Sequence, residues 1–368
     1  MASTNTQTPR QHKAAVYDNP GVVSTKIEML DTPKPGLGQV LVNLTHSGVC
    51  HSDFGIMTNS WRALPFSTQP GQVGGHEGVG VVAELGPGCE DLDVKVGDRV
   101  GIKWVAGVCG TCLPCLSGSD GLCLKGKISG YYTPGTFQQY ALAPADYVTR
   151  IPDNLSSIDA APLLCAGVTV HASLKRSRAR AGDFVVISGA GGGLGDLATQ
   201  LGSRAMGFRI IGIDHGSKEK LVKENGAEAF VDLTKFPSND NGAALAEHIK
   251  SLTNGHGAHA AVICTSANAA YAQAIPMLRF NGVLVCVGIP EGDLVPITTA
   301  SPAPIIFKQI AIEGSAVGNR RDAIEVLDFA ARGVLKAHIR LEKMDKLTSV
   351  FEEMHRGELK GRVVLDLS

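Results

Sequence analysis

Residues 184–195 read FVVISGAGGGLG, and this stretch decides half of the fold. Phe184 to Ser188 form a short apolar run rich in β-branched residues, which suits a strand buried on both faces. The residues after the turn, LGDLATQLGSRAM (194–206), space Leu194, Leu197, Ala198 and Leu201 on one helical face. A strand, a glycine turn and a helix N-terminus form a cradle for a pyrophosphate, because free backbone N–H groups and the helix dipole both favour an anion there. The dinucleotide fingerprint is met imperfectly, as Ala190-x-Gly192-x-x-Gly195 with Gly189 one place early. Context strengthens it: the next strand-like run, FRIIGID, ends at Asp214, 19 residues after Gly195. This reading puts Gly189, Gly192, Gly193, Leu194 and Gly195 on a pyrophosphate and Asp214 on the adenosine ribose. A carboxylate there repels a 2′-phosphate, so NAD is favoured over NADP. The basic His215 and Lys218 temper that preference, and Lys218 joins the cofactor-contact set. A turn aspartate at a strand end is the plainer reading of Asp214.

Outward from this point the pattern repeats. FVVIS, FRIIGID, AFVDL, HAAVIC, VLVCVG and QIAIEG read as strands, and helical stretches such as SKEKLVKENG, AALAEHIKSLTN and AAYAQAIPMLRF separate the first five. Six strands alternating with helices predict a doubly wound parallel sheet. Before residue 167 the texture differs: GQVLVNLTHSG, GVGVVAELG and DVKVGDRVGIKW are short strands between Gly, Pro and Asp turns, an all-β pattern. After Ser315 come an amphipathic helix (RRDAIEVLDFAARG), a short helix and a final strand, GRVVLDLS. The 368 residues fit two domains. The formal net charge of −1 argues against nucleic acid as a partner. No apolar run reaches the ~18 residues of a membrane span, and the polar start MASTNTQTPRQ does not resemble a signal peptide. A cytoplasmic location is therefore expected. In that compartment nine cysteines point to metal rather than disulfides.

Cys109, Cys112, Cys115 and Cys123 form C-x2-C-x2-C-x7-C in a loop rich in glycine. Four thiolates so close suit a closed tetrahedral zinc site. An iron–sulfur cluster is the alternative, but the ferredoxin run places its fourth cysteine four residues on, followed by proline, and this loop does neither. A second set is Cys50-His51-Ser52-Asp53, His76-Glu77 and Cys165. Each piece alone reads as core or turn. Two cysteines and a histidine together have the composition of a catalytic zinc site with its fourth position open.

The chain resembles the zinc-containing medium-chain alcohol dehydrogenase family, its tetrameric microbial branch in particular. The resemblance rests on GVCHSDF, GGHEGVGVV, GIKW, the four-cysteine loop, PLLCAGVTV, ISGAGGGLG, IIGID, VGIP and GRVV, from about residue 40 to the C-terminus. It implies an α/β fold, in which a catalytic domain on a GroES-like β-barrel (1–167 and 316–368) carries an inserted Rossmann domain (168–315). It implies two zinc ions per chain, NAD as cofactor, a small alcohol or aldehyde as substrate, and a homo-oligomer, the tetramer before the dimer, assembled through the Rossmann sheet edge. Cys50, His76 and Cys165 would bind the catalytic zinc, with Glu77 behind it as a transient ligand. Asp53 would hold His76 in its metal-binding tautomer; an Asx-turn is the plainer role. Ser52 would take the hydroxyl proton; an ST-turn is its plainer role. His51 and Arg362 would contact the pyrophosphate, or else be surface charges. Thr169 and Val287 would lie against the nicotinamide, and Trp61 and Trp104 would line the pocket or pack in the core.

The sequence departs from the family at two places. Gly55 stands where many relatives have a histidine that ends the proton relay, and the RALPFSTQPGQV segment before His76 is a few residues longer. Two other functions stay open at this point: a pathway-specific carbonyl reductase, and a zinc- and nucleotide-binding protein without turnover.

Overall fold

Phe184–Ser188 is buried along its whole length, as its unbroken apolar run predicts. It lies third in a six-stranded sheet ordered Ala229–Asp232, Arg209–Asp214, Phe184–Ser188, Ala258–Ile263, Leu278–Cys286 and Ala311–Gly314. Every pairing in it is parallel. The chain builds outward from Phe184–Ser188 to one side and then returns to build the other. The glycine turn after Ser188 therefore sits at the switch point, where such sheets bind ligands. The expected helix 194–206 begins at Gly193 and is α-helical to Gln200, then loosens into one π turn, Leu201–Ala205. The expected helix AAYAQAIPMLRF ends early. Its Asn268–Met277 part is helical, and Leu278 already pairs with Ala258 as the start of the next strand. Pro276 in the last turn is the local reason, since proline takes the place of a helical N–H donor.

The structure is a computed structural model that describes residues 8–62 and 64–368. Its contacts separate two units: residues up to Ser60, Leu64–Cys165 and Ile339–Ser368 form one, and Ala166–His338 with Trp61 and Arg62 the other. The sequence pattern groups 316–338 with the first unit; by their contacts these residues cluster with the second. The reason is local. Asp322, at the start of the Arg320–Ala331 helix, bonds His171 and Lys175 on the Ala166–Arg176 helix at 2.9 and 3.0 Å. Gln200 further fixes the backbone of Lys336 from both sides.

The first unit is built on a seven-stranded sheet. Its path runs Ile339–Lys343, Arg362–Asp366, Gln39–Val49, Gly78–Leu85, Arg99–Ile102 and Thr149–Arg150, with Tyr140–Pro144 also paired to Gln39–Val49. The pairings are antiparallel except that of Ile339–Lys343 with Arg362–Asp366. Each unit has its own apolar core: Val42, Leu44, Phe137, Phe351 and Leu365 lie in the first, and Val186, Ile211, Ile249 and Leu284 in the second. Among the described residues no single helix is long and apolar enough to cross a membrane.

Candidate active site and metal centres

Cys50 ends the long Gln39–Val49 strand and caps the His51–Met57 helix. Asp53, three residues on, is 1% exposed and accepts from the backbone N–H of Cys50 at 3.0 Å and of Gly75 at 3.2 Å. Its Oδ1 also lies 2.8 Å from His76 Nδ1. The carboxylate thus holds the His76 ring with Nε2 turned away from it, and Nε2 is buried without a partner. Gly74 and Gly75 precede this histidine for steric reasons. A Cβ on Gly74 would lie 2.1 Å from the Tyr17 hydroxyl, and Gly75 has φ +94° with Phe137 and Thr136 close above it. The 3₁₀ turn Ala161–Leu164 delivers Cys165. One donor atom each from Cys50, His76, Glu77 and Cys165 lie within 4.8 Å of one another, all buried. The Ser52 hydroxyl stands 3.7 Å from Cys50 Sγ, at the edge of the cluster.

The electrostatics match a cation site. The hydrogen bond from the Cys165 thiol holds Cys50 well below the usual thiol range, helped by Arg362 and His76, while the same bond raises Cys165. Burial alone would lower His76, but the charge and hydrogen bond of Asp53 raise it well above its ordinary value. Burial pushes Glu77 up to about 7, against the pull of Arg362. Arg362 is 6% exposed and donates from Nη2 to Glu77 Oε1. Sequence reasoning missed this pair, because strand pairing joins positions far apart in the chain. The close approach also explains Gly48, since a Cβ there would fall 1.9 Å from Glu77 Oε2. The His76 Nε2 without a partner and the unpartnered Glu77 Oε2 are the groups a metal ion would satisfy, so the cluster fits zinc.

The four-cysteine loop is half-buried, with Leu113, Leu116 and Leu124 exposed along it. The Sγ atoms of Cys112 and Cys115 are 3.5 Å apart, those of Cys112 and Cys123 3.8 Å, and those of Cys123 and Cys109 3.5 Å. A tetrahedron with zinc–sulfur bonds of ~2.3 Å has edges of ~3.8 Å. These spacings leave room for one ion and not for a multi-iron cluster. Backbone N–H groups of Cys109, Cys112 and Lys125 point at the sulfurs. Such N–H groups, from Thr111 and Cys112, bring Cys109 down to about 6. Tyr147 anchors the loop by donating to Asp120 at 2.7 Å, and buried Lys103 donates to the Tyr147 carbonyl at 2.8 Å.

The glycine turn has the expected shape. Gly189 takes φ +78°, and Gly192 caps the Gly193–Gln200 helix. A Cβ on Gly195 would meet the Gly189 carbonyl at 2.0 Å. Ala190 is tolerated at the fingerprint's first position because its Cβ faces Gly212, where a second Cβ would come within 3.0 Å. Asp214 accepts from the N–H of Gly191 at 2.8 Å and of His215 at 2.7 Å. It therefore fills the role of a turn aspartate. The side chain of Lys218 packs against Gly191, where a Cβ would be 2.7 Å from its own. Thr169 is buried on the Ala166–Arg176 helix, and Val287 follows the Leu278–Cys286 strand. His51 lies against Phe54, with ring centroids 5.4 Å apart. The Trp104 ring stands edge-on to His76 at 4.7 Å and also packs on the core. A third group, His171, Asp322 and Glu325, has the donor types for a metal, but the Lys175 ammonium already lies 3.0 and 3.4 Å from its carboxylates.

Two family profiles match the chain, the alcohol dehydrogenase GroES-like domain over residues 36–153 and the zinc-binding dehydrogenase over residues 193–332. Alcohol dehydrogenase 2 of Emericella nidulans is 63% identical over 361 residues, 98% of each chain. The fold is similar to that of the alcohol dehydrogenase from the archaeon Aeropyrum pernix, with a TM-score of 0.84 and 29% identity over 96% of this chain and 99% of that one. It is similar also to acetophenone reductase from Geotrichum candidum, solved in complex with NAD, with a TM-score of 0.83, 27% identity and 98% of each chain covered.

Proposed function

The chain belongs to the zinc-containing medium-chain alcohol dehydrogenase family, and on that premise we propose that it oxidises a small alcohol reversibly, at Cys50, His76 and Cys165, with NAD as hydride acceptor. The observation that carries this reading is the buried, unpartnered His76 Nε2 between two cysteines, its other nitrogen fixed by Asp53. Cys50, His76 and Cys165 hold the catalytic zinc, which supplies a Lewis acid that makes an alcohol hydroxyl easier to deprotonate. Cys109, Cys112, Cys115 and Cys123 hold a second, structural zinc.

NAD supplies the hydride acceptor, and the N-terminus of the Gly193–Gln200 helix with Gly189, Gly192, Leu194 and Gly195 takes its pyrophosphate. Asp214 binds the adenosine ribose and disfavours a 2′-phosphate, with Lys218 beside it. His51 and Arg362 add positive charge for the pyrophosphate, and Thr169 and Val287 shape the nicotinamide site. Ser52 accepts the hydroxyl proton, and Gly55 offers no side chain to carry it further. Glu77, held by Arg362, stands by as an alternative donor to the metal.

The chain works in the cytoplasm, a reading supported by nine cysteines that are all unpaired. It forms a homotetramer through the sheet edge. Ala311–Gly314 is an edge strand, and Ile306 and Phe307 just before it are 66% and 85% exposed. Light scattering at four chain masses is the expected result. The function is tested by metal analysis with a screen of alcohols against NAD and NADP. About two zinc per chain and NAD-dependent turnover are expected. Absence of turnover from a chain with both sites loaded would sink the proposal.

A further inference from the structure

The long segment before His76 is held at three points. Leu64 packs on the core of the first unit. Thr68 is buried; its hydroxyl donates to the Ile56 carbonyl at 2.7 Å, and its N–H donates to Asn59 Oδ1 at 2.8 Å. Those two bonds tie it to the C-terminal end of the helix that carries Ser52. The third hold is Tyr131, which is 5% exposed. Its hydroxyl accepts from the Phe66 N–H at 3.0 Å and donates to the Phe66 carbonyl at 2.6 Å. Its ring stacks on Phe66, with centroids 4.5 Å apart and planes 7° from parallel.

The residues just before Tyr131 are themselves fixed to the backbone that leads into His76. Ser129 donates to the Gly75 carbonyl at 3.0 Å, next to His76, and its N–H reaches the Trp104 carbonyl at 3.0 Å. Gly130, with φ +76°, packs so tightly on Gly75 that a Cβ would lie 2.8 Å from the Gly75 carbonyl oxygen. Gln72 donates to the Gly130 carbonyl at 2.6 Å, closing the loop from its other end. One connected set of contacts thus runs from Phe66 through Tyr131 and Gly75 to His76.

From this we infer that Tyr131 is a positioning residue that sets which alcohols the site admits, by pinning Leu64–Gln72 as a fixed wall between the Ser52 helix and His76. The inference rests on the function proposed above. A side chain that grips the backbone of one loop residue from both sides restricts the loop without touching the chemistry. A fixed wall discriminates by substrate bulk, and that discrimination appears in KM while kcat is kept.

Two variants test it in the zinc-loaded protein. Tyr131→Phe keeps the stack and removes both hydrogen bonds, and Phe66→Ala removes the stack. Benzyl alcohol and ethanol are compared at saturating NAD, and amide exchange is followed over residues 64–73. In both variants KM for benzyl alcohol should fall about fivefold and KM for ethanol change less than about twofold, with kcat kept. Amide exchange in the segment should quicken. An unchanged ratio of the two KM values, or an equal loss of kcat on both alcohols, overturns the inference, and so does unchanged exchange. Failure of the wider functional reading looks different: the parent protein would oxidise neither alcohol, and exchange would still report on the pin.

Discussion

Cys50, His76 and Cys165 come from three separate segments and are buried, whereas Cys109, Cys112, Cys115 and Cys123 come from one short loop and are half-buried. The buried cluster mixes sulfur and nitrogen donors, and charged partners surround it: Asp53 on His76, and Arg362 on Glu77. The loop offers sulfur alone, and what points at its sulfurs is neutral: the backbone N–H groups of Cys109, Cys112 and Lys125 and the Thr111 hydroxyl. Four sulfurs at tetrahedral spacing leave an ion no vacant position. Three ligands backed by a carboxylate that a guanidinium can hold aside do leave one. On the function proposed above, what would separate a site for chemistry from a site for stability is the donor set and the charges behind it, more than the presence of cysteine.

The two sites part most clearly when ligands are removed from one at a time. Cys165→Ala should lower alcohol oxidation by at least ~10³-fold and release one of two zinc ions, with Tm down by only a few degrees. Cys112→Ser should do the reverse. It should also release one zinc, cost about 3 kcal/mol in unfolding free energy, and leave the kcat of the surviving folded protein within about twofold. Similar behaviour of the two variants in both assays would erase the distinction. Asp53→Asn sharpens it, because the shape is kept and the charge on His76 is lost. Zinc affinity at the buried cluster should fall about 10–100-fold while the loop keeps its ion, as competition with a chelator would show.

The smallest effect lies outside both clusters, at Asp322, which serves as a control. Burial would raise this carboxyl, but the hydrogen bond with His171, the Asn319 N–H and Lys175 hold it well below the usual carboxylate range. A depressed folded value stabilises the fold above the unfolded value near ~4, and that stabilisation is lost as pH falls through the folded one. Asp322→Asn should therefore cost about 2 kcal/mol at pH 7, with the gap to the parent closing in acid below about pH 4. Denaturation curves across pH read this directly, and a gap that widens in acid would contradict the assignment.

Much of this was legible in the residues. The loop cysteines announce themselves because all their ligand atoms are local, and the glycine turn does so because strand, turn and helix are contiguous. Cys50, His76 and Cys165 needed the family resemblance, since nothing local joins them. The Arg362–Glu77 pair was illegible, because it depends on which strand lies beside Gln39–Val49. The boundary at His338 was hidden for a similar reason: the contacts of Asp322 and Gln200 that draw 316–338 into the second unit are long-range. The helix end at Met277 was readable from Pro276, yet the apolar run continued through it and masked the change to strand.

Asp53 has a consequence for how the metal is acquired. Cys50 and His76 are 26 positions apart, and closing a flexible loop of that length costs about 3 kcal/mol of chain entropy. The Asp53 carboxylate already closes it, through the N–H groups of Cys50 and Gly75 and the His76 ring. An ion taking Cys50 and His76 as ligands, as proposed above, would meet both already juxtaposed, and the loop-closure entropy would fall on folding and not on its binding. Removal and return of that ion would then be an exchange at a standing site, while the fold around it stays assembled.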